Sequence, residues 1–451
     1  MDTTQSALSN QIKHLIEQNS IAELMRLLRE AHPADIADAV DMLEEEERLR
    51  VFSLLDDQTA GEVLDETEPE ATTALIKGLD SERTADILDE MPPDDAAEIL
   101  ADLPKKQAEE LIGLMEVEEA ADVQELLQYP ENSAGRLMTE EFISVRAGMT
   151  ASRVIEMLRE LAPKAETAYY LYVTEPDGHL VGVLSLRDLI VADPDARISD
   201  TMDRKVVSVG VDTDQEEVAR VVSKYDFLAI PVVDGKEKLV GIITVDDIID
   251  VIEEEASEDI YALGGTTEHP EAVHTPIPSA MRRMPWLLIT VIGEIFTARV
   301  IKGYELTLQE MFALVLFIPV IMATGGNVGT QSLATTVRSI ALGEQAGRSV
   351  WQVIRREAAI GVMLGVTIGL FTAAIAVKWI GTPALGLVIG ISMTLTLTFS
   401  AVLGVLIPIL FKALGRDPAL ASGPFITTLN DITSVTIYFL LAIRLIHLFP
   451  A

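Results

Sequence analysis

The segment Ala358–Val377 runs for twenty residues without a charged side chain. At about 1.5 Å per residue a helix of that length spans about 30 Å, the hydrocarbon thickness of a bilayer. Four more apolar stretches flank it, near Pro285–Val300, Glu310–Ile340, Leu385–Phe411 and Pro424–Leu448. Residues 285–451 are therefore expected to form an all-α transmembrane domain of five helices. The first stretch is the shortest and contains Glu294; that carboxylate is either a functional group or an acid turned towards protein.

Basic residues set the expected orientation. Arg282, Arg283, Arg338, Arg348, Arg355, Arg356, Lys412 and Arg416 fall on one side if the N-terminus is inside. Lys302, Lys378 and Arg444 fall on the other, with Arg299 near them. The expectation is a multi-pass protein of the cell (inner) membrane, N-terminus cytosolic and C-terminus outside.

The charge is divided as sharply as the hydropathy. The 451 residues hold 71 Asp and Glu against 34 Lys and Arg. Residues 285–451 carry seven acids and ten bases, leaving 64 acids against 24 bases in residues 1–284. A charge near −40 on a soluble part argues against nucleic acid as a partner. Most of its acids are expected to be simply solvated, but clustered Asp and Glu also supply the oxygen ligands that Mg2+ and Ca2+ require. There is no cysteine, so disulfides, thiolate catalysis and Cys-based zinc sites are excluded. Met1–Ser20 is polar, so no secretory signal peptide is expected.

Residues 32–127 divide into four consecutive blocks of 24 residues: His32–Leu55, Asp56–Leu79, Asp80–Leu103 and Pro104–Leu127. Each begins with a polar or Pro-containing turn and continues through two short amphipathic stretches. The fixed period predicts an α-solenoid whose neighbours stack to bury one face; an ordinary helical bundle is the other arrangement it permits.

From residue 135 the pattern changes. Phe142–Val145 precedes a helical stretch, Ala151–Leu161, then two strand-like runs, Tyr169–Val173 and Leu180–Leu184, and a helix near Leu186. The same order recurs from Val206, and the runs LVGVLSLRDLI (180–190) and LVGIITVDDII (239–249) are near copies. With Ser185-Leu-Arg-Asp188 and Thr244-Val-Asp-Asp247 after an apolar strand, this resembles a tandem of cystathionine-β-synthase (CBS) domains. In that family the Ser/Thr-x-x-Asp turn often contacts a nucleotide ribose. A linker rich in Gly, Thr and Pro follows (Gly264 to Pro278).

Two stretches are too polar for anchoring alone. In Met322–Ser332 three glycines permit close backbone approach or local unwinding. Small residues for tight helix packing would account for them, but Asn327, Thr330 and Gln331 favour a lined cavity. In Thr427–Ser434 a mid-membrane Asp431 costs about 2.5–3.5 kcal/mol. It shares a helical face with Thr427, Thr428 and Ser434, a stripe suited to a cation pathway; pairing with a buried base is the competing explanation.

Taken together, the chain resembles the MgtE family of magnesium channels over essentially its whole length. The local signatures are Gly325-Gly-Asn327, Gly415-Arg-Asp-Pro-Ala-Leu420 and Thr428-Leu-Asn-Asp431. The resemblance implies a multi-domain protein. An acidic all-α superhelical N domain (1–130) is followed by α/β tandem CBS domains (131–257), a connecting plug helix and linker (258–284) and the pore domain (285–451). It implies a homodimer in the lipid bilayer with Asp431 as pore aspartate, lined also by Gly325, Gly326, Asn327 and Thr428. It implies Mg2+ as both cargo and regulator, other divalent cations being alternative cargo. The sensor acids it carries over are Glu62, Asp94 and Glu98, then Glu216, Asp226, Asp247 and Asp250, then Glu255, Glu258 and Asp259, with Asp417. Glu98 stands where an Asp is common, which should weaken or reshape its site. ATP is implied as a modulator: Tyr170 and Phe227 would stack on adenine, with Arg187 and Asp188 on phosphate and ribose. Core aromatics beside a surface ion pair would explain the same four residues.

The expected function is therefore Mg2+ uptake through a channel closed by Mg2+ on the cytosolic acids. A secondary divalent-cation transporter and a membrane-bound sensor without transport are the alternatives. An enzyme is not expected. There is no His-Glu-x-x-His, Gly-x-Ser-x-Gly or Walker-type loop, and only six histidines are scattered along the chain.

Overall fold

The structure is a computed structural model that describes residues 2–162, 165–266, 276–305, 312–343, 349–421 and 423–446. The chain divides into two compact units, Met1–Glu253 and Glu254–Ala451.

The first unit opens with α1 (Asp2–Glu17) and α2 (Ile21–Glu30). Each 24-residue block then folds as one helix pair. These are α3 (Pro33–Asp41) with α4 (Glu45–Phe52), α5 (Asp57–Asp65) with α6 (Pro69–Gly78), α7 (Ser81–Asp89) with α8 (Pro93–Asp102), and α9 (Lys105–Ile112) with α10 (Val117–Leu126). The turn residues start the helices. Pro occupies the first turn of α3, α6 and α8, where a missing N–H is no loss. The Asp56 carboxylate caps α5 by accepting from Thr59 N at 3.0 Å, and Glu44 and Glu47 form a capping box on α4. Odd-numbered helices pack on odd and even on even, the two-layer stacking of a solenoid. Arg83 of α7 donates to the carbonyls of Phe52 at 3.1 Å and Leu55 at 2.7 Å, satisfying groups that the end of α4 leaves open.

After α11 (Ala134–Leu137) the α/β repeats follow as β1 (Ser144–Arg146), α12 (Ala151–Leu161), β2 (Tyr170–Thr174), β3 (Leu180–Ser185), α13 (Leu186–Val191) and α14 (Ile198–Thr201). The second set is β4 (Val209–Gly210), α15 (Gln215–Tyr225), β5 (Ala229–Val233), β6 (Leu239–Thr244) and α16 (Val245–Gly264). Each forms a three-stranded sheet with one parallel and one antiparallel pair. The duplication extends to register: Tyr170 lies opposite Ser185, and Ala229 opposite Thr244. The solenoid core continues into the second repeat, where Leu100, Leu111, Met138, Val218 and Ile230 belong to one buried cluster.

The second unit begins in the C-terminal part of α16. That helix ends at Gly265 (φ +72), with Thr266 N bonded to Tyr261 O at 3.0 Å, a left-handed cap that suits glycine. The membrane helices are α17 (Pro276–Gly303), α18 (Ile318–Ala341, led by a 3₁₀ turn Phe312–Phe317), α19 (Val350–Ile380), α20 (Pro383–Ala413) and α21 (Gly423–Ile446). Among the described residues these five are long and apolar enough to cross a membrane, with mean hydropathy between 1.5 and 2.3. Two begin well before the apolar stretches: α17 keeps Pro285 inside the helix, and α19 includes Arg355, Arg356 and Glu357. Apolarity marks the bilayer, whereas backbone hydrogen bonding carries a helix past it. Residues 267–275 of the linker, Arg348 and Leu448 lie outside the described residues.

Glycines set how close the membrane helices come. Gly361, Gly365 and Gly369 form one buried stripe of α19. A Cβ on Gly361 would lie 2.6 Å from Thr398 Cα, one on Gly365 2.6 Å from Thr394 Cα, and one on Gly369 2.7 Å from Gly390 O. This is small-residue packing of two membrane helices. Against it, α17 buries only Gly293 and Thr297 and leaves Leu287, Leu288, Ile292, Ile295 and Phe296 more than half exposed, as a lipid-facing helix would.

Gly365→Val is expected to destabilise the α19–α20 pair by roughly 1–3 kcal/mol. Gly390→Ala, whose Cβ would meet its nearest neighbour at 3.5 Å, should be tolerated. Thermal unfolding of the detergent-solubilised protein checks this: equal midpoints for the two variants would contradict the packing described.

Candidate functional sites

The first site belongs to the first unit. Asp94 and Asp95 open α8, Asp247 lies in the first turn of α16, and oxygens of all three lie within 4.8 Å of one another. Asp94 is 9% exposed, and its Oδ1 is buried without a hydrogen-bond partner. Asp247 Oδ2 accepts from Thr244 N at 3.1 Å and from the Thr244 hydroxyl. The Thr-x-x-Asp turn thus caps α16 and fixes the carboxylate at the same time. Burial, reinforced by neighbouring carboxylates, pushes Asp94 well above the usual carboxylate range and Asp95 up to about 10. Burial likewise raises Asp247 to about 6, where the Thr244 hydrogen bonds hold it back. Asp65 and Glu166, turned towards the same acids, rise to about 7, again chiefly through burial. No lysine or arginine is among the groups acting most strongly on these five acids. Hard oxygen donors with an unpaired buried lone pair and, among the described residues, no ion pair to a base fit a small divalent cation.

The repeat shows why Asp65 is available. Asp41, Asp65 and Asp89 hold the same position in successive blocks. Asp41 accepts from Glu68 N at 3.4 Å, and Asp89 from Glu116 N at 3.0 and 3.1 Å. The corresponding position for Asp65 is Pro92, which has no N–H to offer.

Of the acids expected as sensors in this unit, Asp94 and Asp247 come together among the described residues, joined by the unexpected Asp95. Glu62 is exposed on α5 and accepts from Gln58 Nε2 at 3.3 Å. Glu98 is exposed one turn after Asp94. Glu216 pairs with Arg220 at 3.5 Å, Asp226 ends α15 in the left-handed conformation (φ 54), and Asp250 is raised by burial and then by Glu66. In the second unit Glu255 and Asp259 are half-buried on one face of α16 while Glu258 is exposed. Asp417 is exposed and accepts from Ala419 N at 2.8 Å. Asp95, Asp65 and Glu166 were missed; the Asp94-Asp95 doublet and the proline breaking the repeat were the signals available.

Around the expected nucleotide residues, Ser185 Oγ donates to Asp188 Oδ2 at 2.6 Å and accepts from Asp188 N at 3.1 Å, capping α13. Tyr170 is half-buried opposite Ser185, and Arg187 and Asp188 are exposed. Phe227 stacks on Tyr225, with centroids 5.3 Å apart, so one face of its ring is already covered.

The second site lies within the membrane helices. Asp431 is 6% exposed, accepts from Asn430 Nδ2 at 3.5 Å and lies beside the Glu294 side chain. The competing explanation, a buried base, finds no support: no lysine or arginine pairs with Asp431 among the described residues. Asn430 is fully buried. Its Oδ1 accepts from Ser400 and, at 3.1 Å, from Ser434, and its Nδ2 donates to Met322 O at 3.3 Å. Of the two roles open to the glycines, close approach and local unwinding, the structure has the first. α18 is continuous, and Gly325 and Gly326 give Asn430 and Thr427 room to approach. A Cβ on Gly325 would lie 2.8 Å from Asn430 Nδ2. Asn327 points outward, exposed. A cleft of about 490 Å³ of mixed polar and apolar lining lies farther along, between α18 and α19, with Gln331, Thr335, Gln352 and Arg356 beside Val328, Ile360 and Leu364, and Ser332 Oγ donating to Glu357 at 3.1 Å.

An acidic solenoid, paired α/β repeats and five apolar helices with buried polar residues define a multi-pass membrane protein with a large acidic N-terminal part. Family models agree segment by segment: the MgtE intracellular N domain matches 31–132, CBS domains match 134–195 and 198–254, and a family described as divalent cation transporter matches 318–441. The magnesium transporter MgtE of Thermus thermophilus is 44% identical over 320 residues, 70% of this chain and 71% of that protein. The magnesium transporter MgtE of Enterococcus faecalis is 44% identical over 71% of each chain. The crystal structure of the cytosolic domain of the Mg2+ channel MgtE in complex with ATP superposes with a TM-score of 0.52 at 43% identity, covering 54% of this chain and 99% of that one. The chain belongs to the MgtE family.

The acid cluster makes a pH prediction. Its folded-state values lie above those of free carboxylates, so the stabilisation they give the metal-free unit is complete below about pH 4. It is lost as pH rises through about 6 to 7 for Asp247, Asp65 and Glu166 and about 10 for Asp95. Divalent cations need these groups deprotonated. The Mg2+ concentration that half-protects the soluble part from limited proteolysis should therefore fall severalfold between pH 6 and pH 8. A value independent of pH would mean that these acids are not the ligands.

Proposed function

We propose that the protein carries Mg2+ across the cell membrane as a homodimeric channel, closed when Mg2+ occupies the acids of its soluble part. The observation that carries this reading is Asp431, a carboxyl group buried among apolar helices with no base beside it, in a chain whose relatives are named magnesium transporters. An unpaired acid at membrane depth is expensive and marks an ion path. Mg2+ gives up water reluctantly, so Asp431 and Thr428 would hold it through its hydration shell. Asn327, exposed on α18, suits the facing surface of a second copy. The distribution of basic residues supports a cytosolic soluble part and a C-terminus outside.

Within the soluble part, Asp94 and Asp95 from the helical blocks and Asp247 from the CBS pair can stay close only if their charge is neutralised. A bound divalent cation supplies that neutralisation in place of the protons the buried acids otherwise hold; once deprotonated without a cation, the carboxylates repel and the closed arrangement loses its support. Only a higher affinity for the closed state can drive such a switch. The link to the pore is α16, one helix from Asp247 to Gly264. Its end packs within the second unit, where Ala262 clusters with Leu333, Ile407, Ala421 and Ile426. On this reading residues 1–130 and 131–257 sense, 258–284 couple and 285–451 conduct. Glu62, Glu98, Glu216, Asp226, Asp250, Glu255, Glu258, Asp259 and Asp417 would add weaker sites. ATP would act as a modulator on Tyr170, Arg187 and Asp188. No chemical bond changes, so no enzymatic activity is proposed.

Proteoliposome flux tests the reading. Asp431→Asn is expected to lower Mg2+ flux at least tenfold, while Asp94→Asn with Asp247→Asn should keep flux open at millimolar cytosolic Mg2+. Wild-type flux in Asp431→Asn would move the path elsewhere. Flux coupled to Na+ or H+ would make the protein a secondary transporter, and no flux under any gradient would leave a sensor.

A further inference from the structure

Two consecutive residues of α17 lie against the polar stripe of α21. Gly293 lies against Thr428, so close that a Cβ built on it would overlap the Thr428 methyl group. Glu294, next in sequence and half-buried, reaches the Asp431 side chain. No lysine or arginine pairs with Asp431 among the described residues. Two carboxyl groups in contact cannot both stay ionised in isolation; they need a positive charge between them or one proton shared.

Thr428 gives an independent indication of what belongs there. Threonine hydroxyls in membrane helices usually bond the carbonyl one turn back. Thr427 does so to Gly423 at 2.9 Å, Thr433 to Leu429 at 3.1 Å, Thr436 to Ile432 at 2.7 Å and Thr297 to Gly293 at 3.3 Å. Thr428 Oγ1 does not: it is buried without a partner, although the residue is only 9% exposed. Thr428 and Asp431 lie one turn apart on the same face of α21, opposite the Gly293–Glu294 step. An orphaned hydroxyl and two carboxyls thus converge where glycine has let the helices touch.

We propose that Glu294 is a second acidic ligand of the transmembrane ion site, holding a hydrated divalent cation together with Asp431 and the Thr428 hydroxyl between α17 and α21. The inference rests on the pore reading above and deepens it: each subunit contributes two carboxylates, which favours a divalent over a monovalent cation on charge balance alone. Gly293 is the positioning residue that brings Thr428 within reach.

Mg2+ flux into proteoliposomes, measured against Mg2+ concentration with cytosolic Mg2+ kept low, tests this in the full-length protein. Glu294→Gln keeps the shape and a hydrogen bond but removes the charge. It is expected to raise the half-saturating Mg2+ concentration about tenfold, the loss of one charge-assisted contact, with Glu294→Asp recovering part of the shift. Thermal midpoint and gel-filtration profile should stay at wild-type values. A wild-type saturation curve for Glu294→Gln alongside lost flux in Asp431→Asn overturns the role of Glu294 and leaves the pore reading standing. Wild-type curves for both variants overturn the pore reading itself. If Glu294→Gln does not fold, Glu294→Asp decides: a shifted half-saturation at an unchanged midpoint supports the proposal, and an unshifted one overturns it.

Discussion

Carboxyl groups without basic partners are the constraint on which both sites depend. In the soluble unit Asp94, Asp95 and Asp247 meet within 4.8 Å, and in the membrane Asp431 meets Glu294. Burial removes the water that would screen such groups, and among the described residues no lysine or arginine forms an ion pair with them. Each arrangement is therefore stable only when something positive arrives, a proton or a cation. A chain with 71 acids and 34 bases could have neutralised these few carboxylates at small cost in composition. Leaving them unpaired makes their separation depend on the ion concentration around them.

The membrane bundle shows how polar groups are accommodated where water is absent. Asn430 takes hydrogen bonds from Ser400 and Ser434 and gives one to Met322 O, so a fully buried amide is satisfied on both its oxygen and its nitrogen. Gly325 makes the space for it. Glycines at α19 bring α20 close in the same way. The consequence is a bundle whose helix spacing follows from missing side chains, so that Thr428 is held in place by packing and not by a hydrogen bond of its hydroxyl.

The solenoid shows the same economy through repetition. An aspartate at the end of one helix caps the backbone of a later one at Asp41 and Asp89. Where Pro92 removes the donor, the equivalent Asp65 turns towards the acids of α16. One substitution in a structural repeat has turned a cap into part of an acidic cluster. Thr244 performs two tasks as well, capping α16 and orienting Asp247.

Much of this was legible in the chain because it is local. The uncharged run in α19 and the length of its neighbours specify membrane helices wherever they lie. The 24-residue period specifies helix pairs, and the copied LVG runs specify two equal α/β units down to strand register. Many candidate acids were legible through family resemblance and not through spacing. What the tertiary structure alone decided is which distant groups meet. Gly325 and Gly326 serve close packing and not an unwound segment, because Asn430, far along the chain, needs their space. Asp95 and Asp65 join Asp94 and Asp247, and Glu294 joins Asp431, through contacts between residues remote in sequence. Hydrophobic period and helix propensity act over a few turns, whereas a carboxylate's charge state depends on every group within several ångströms, and those neighbours exist only once the chain has folded.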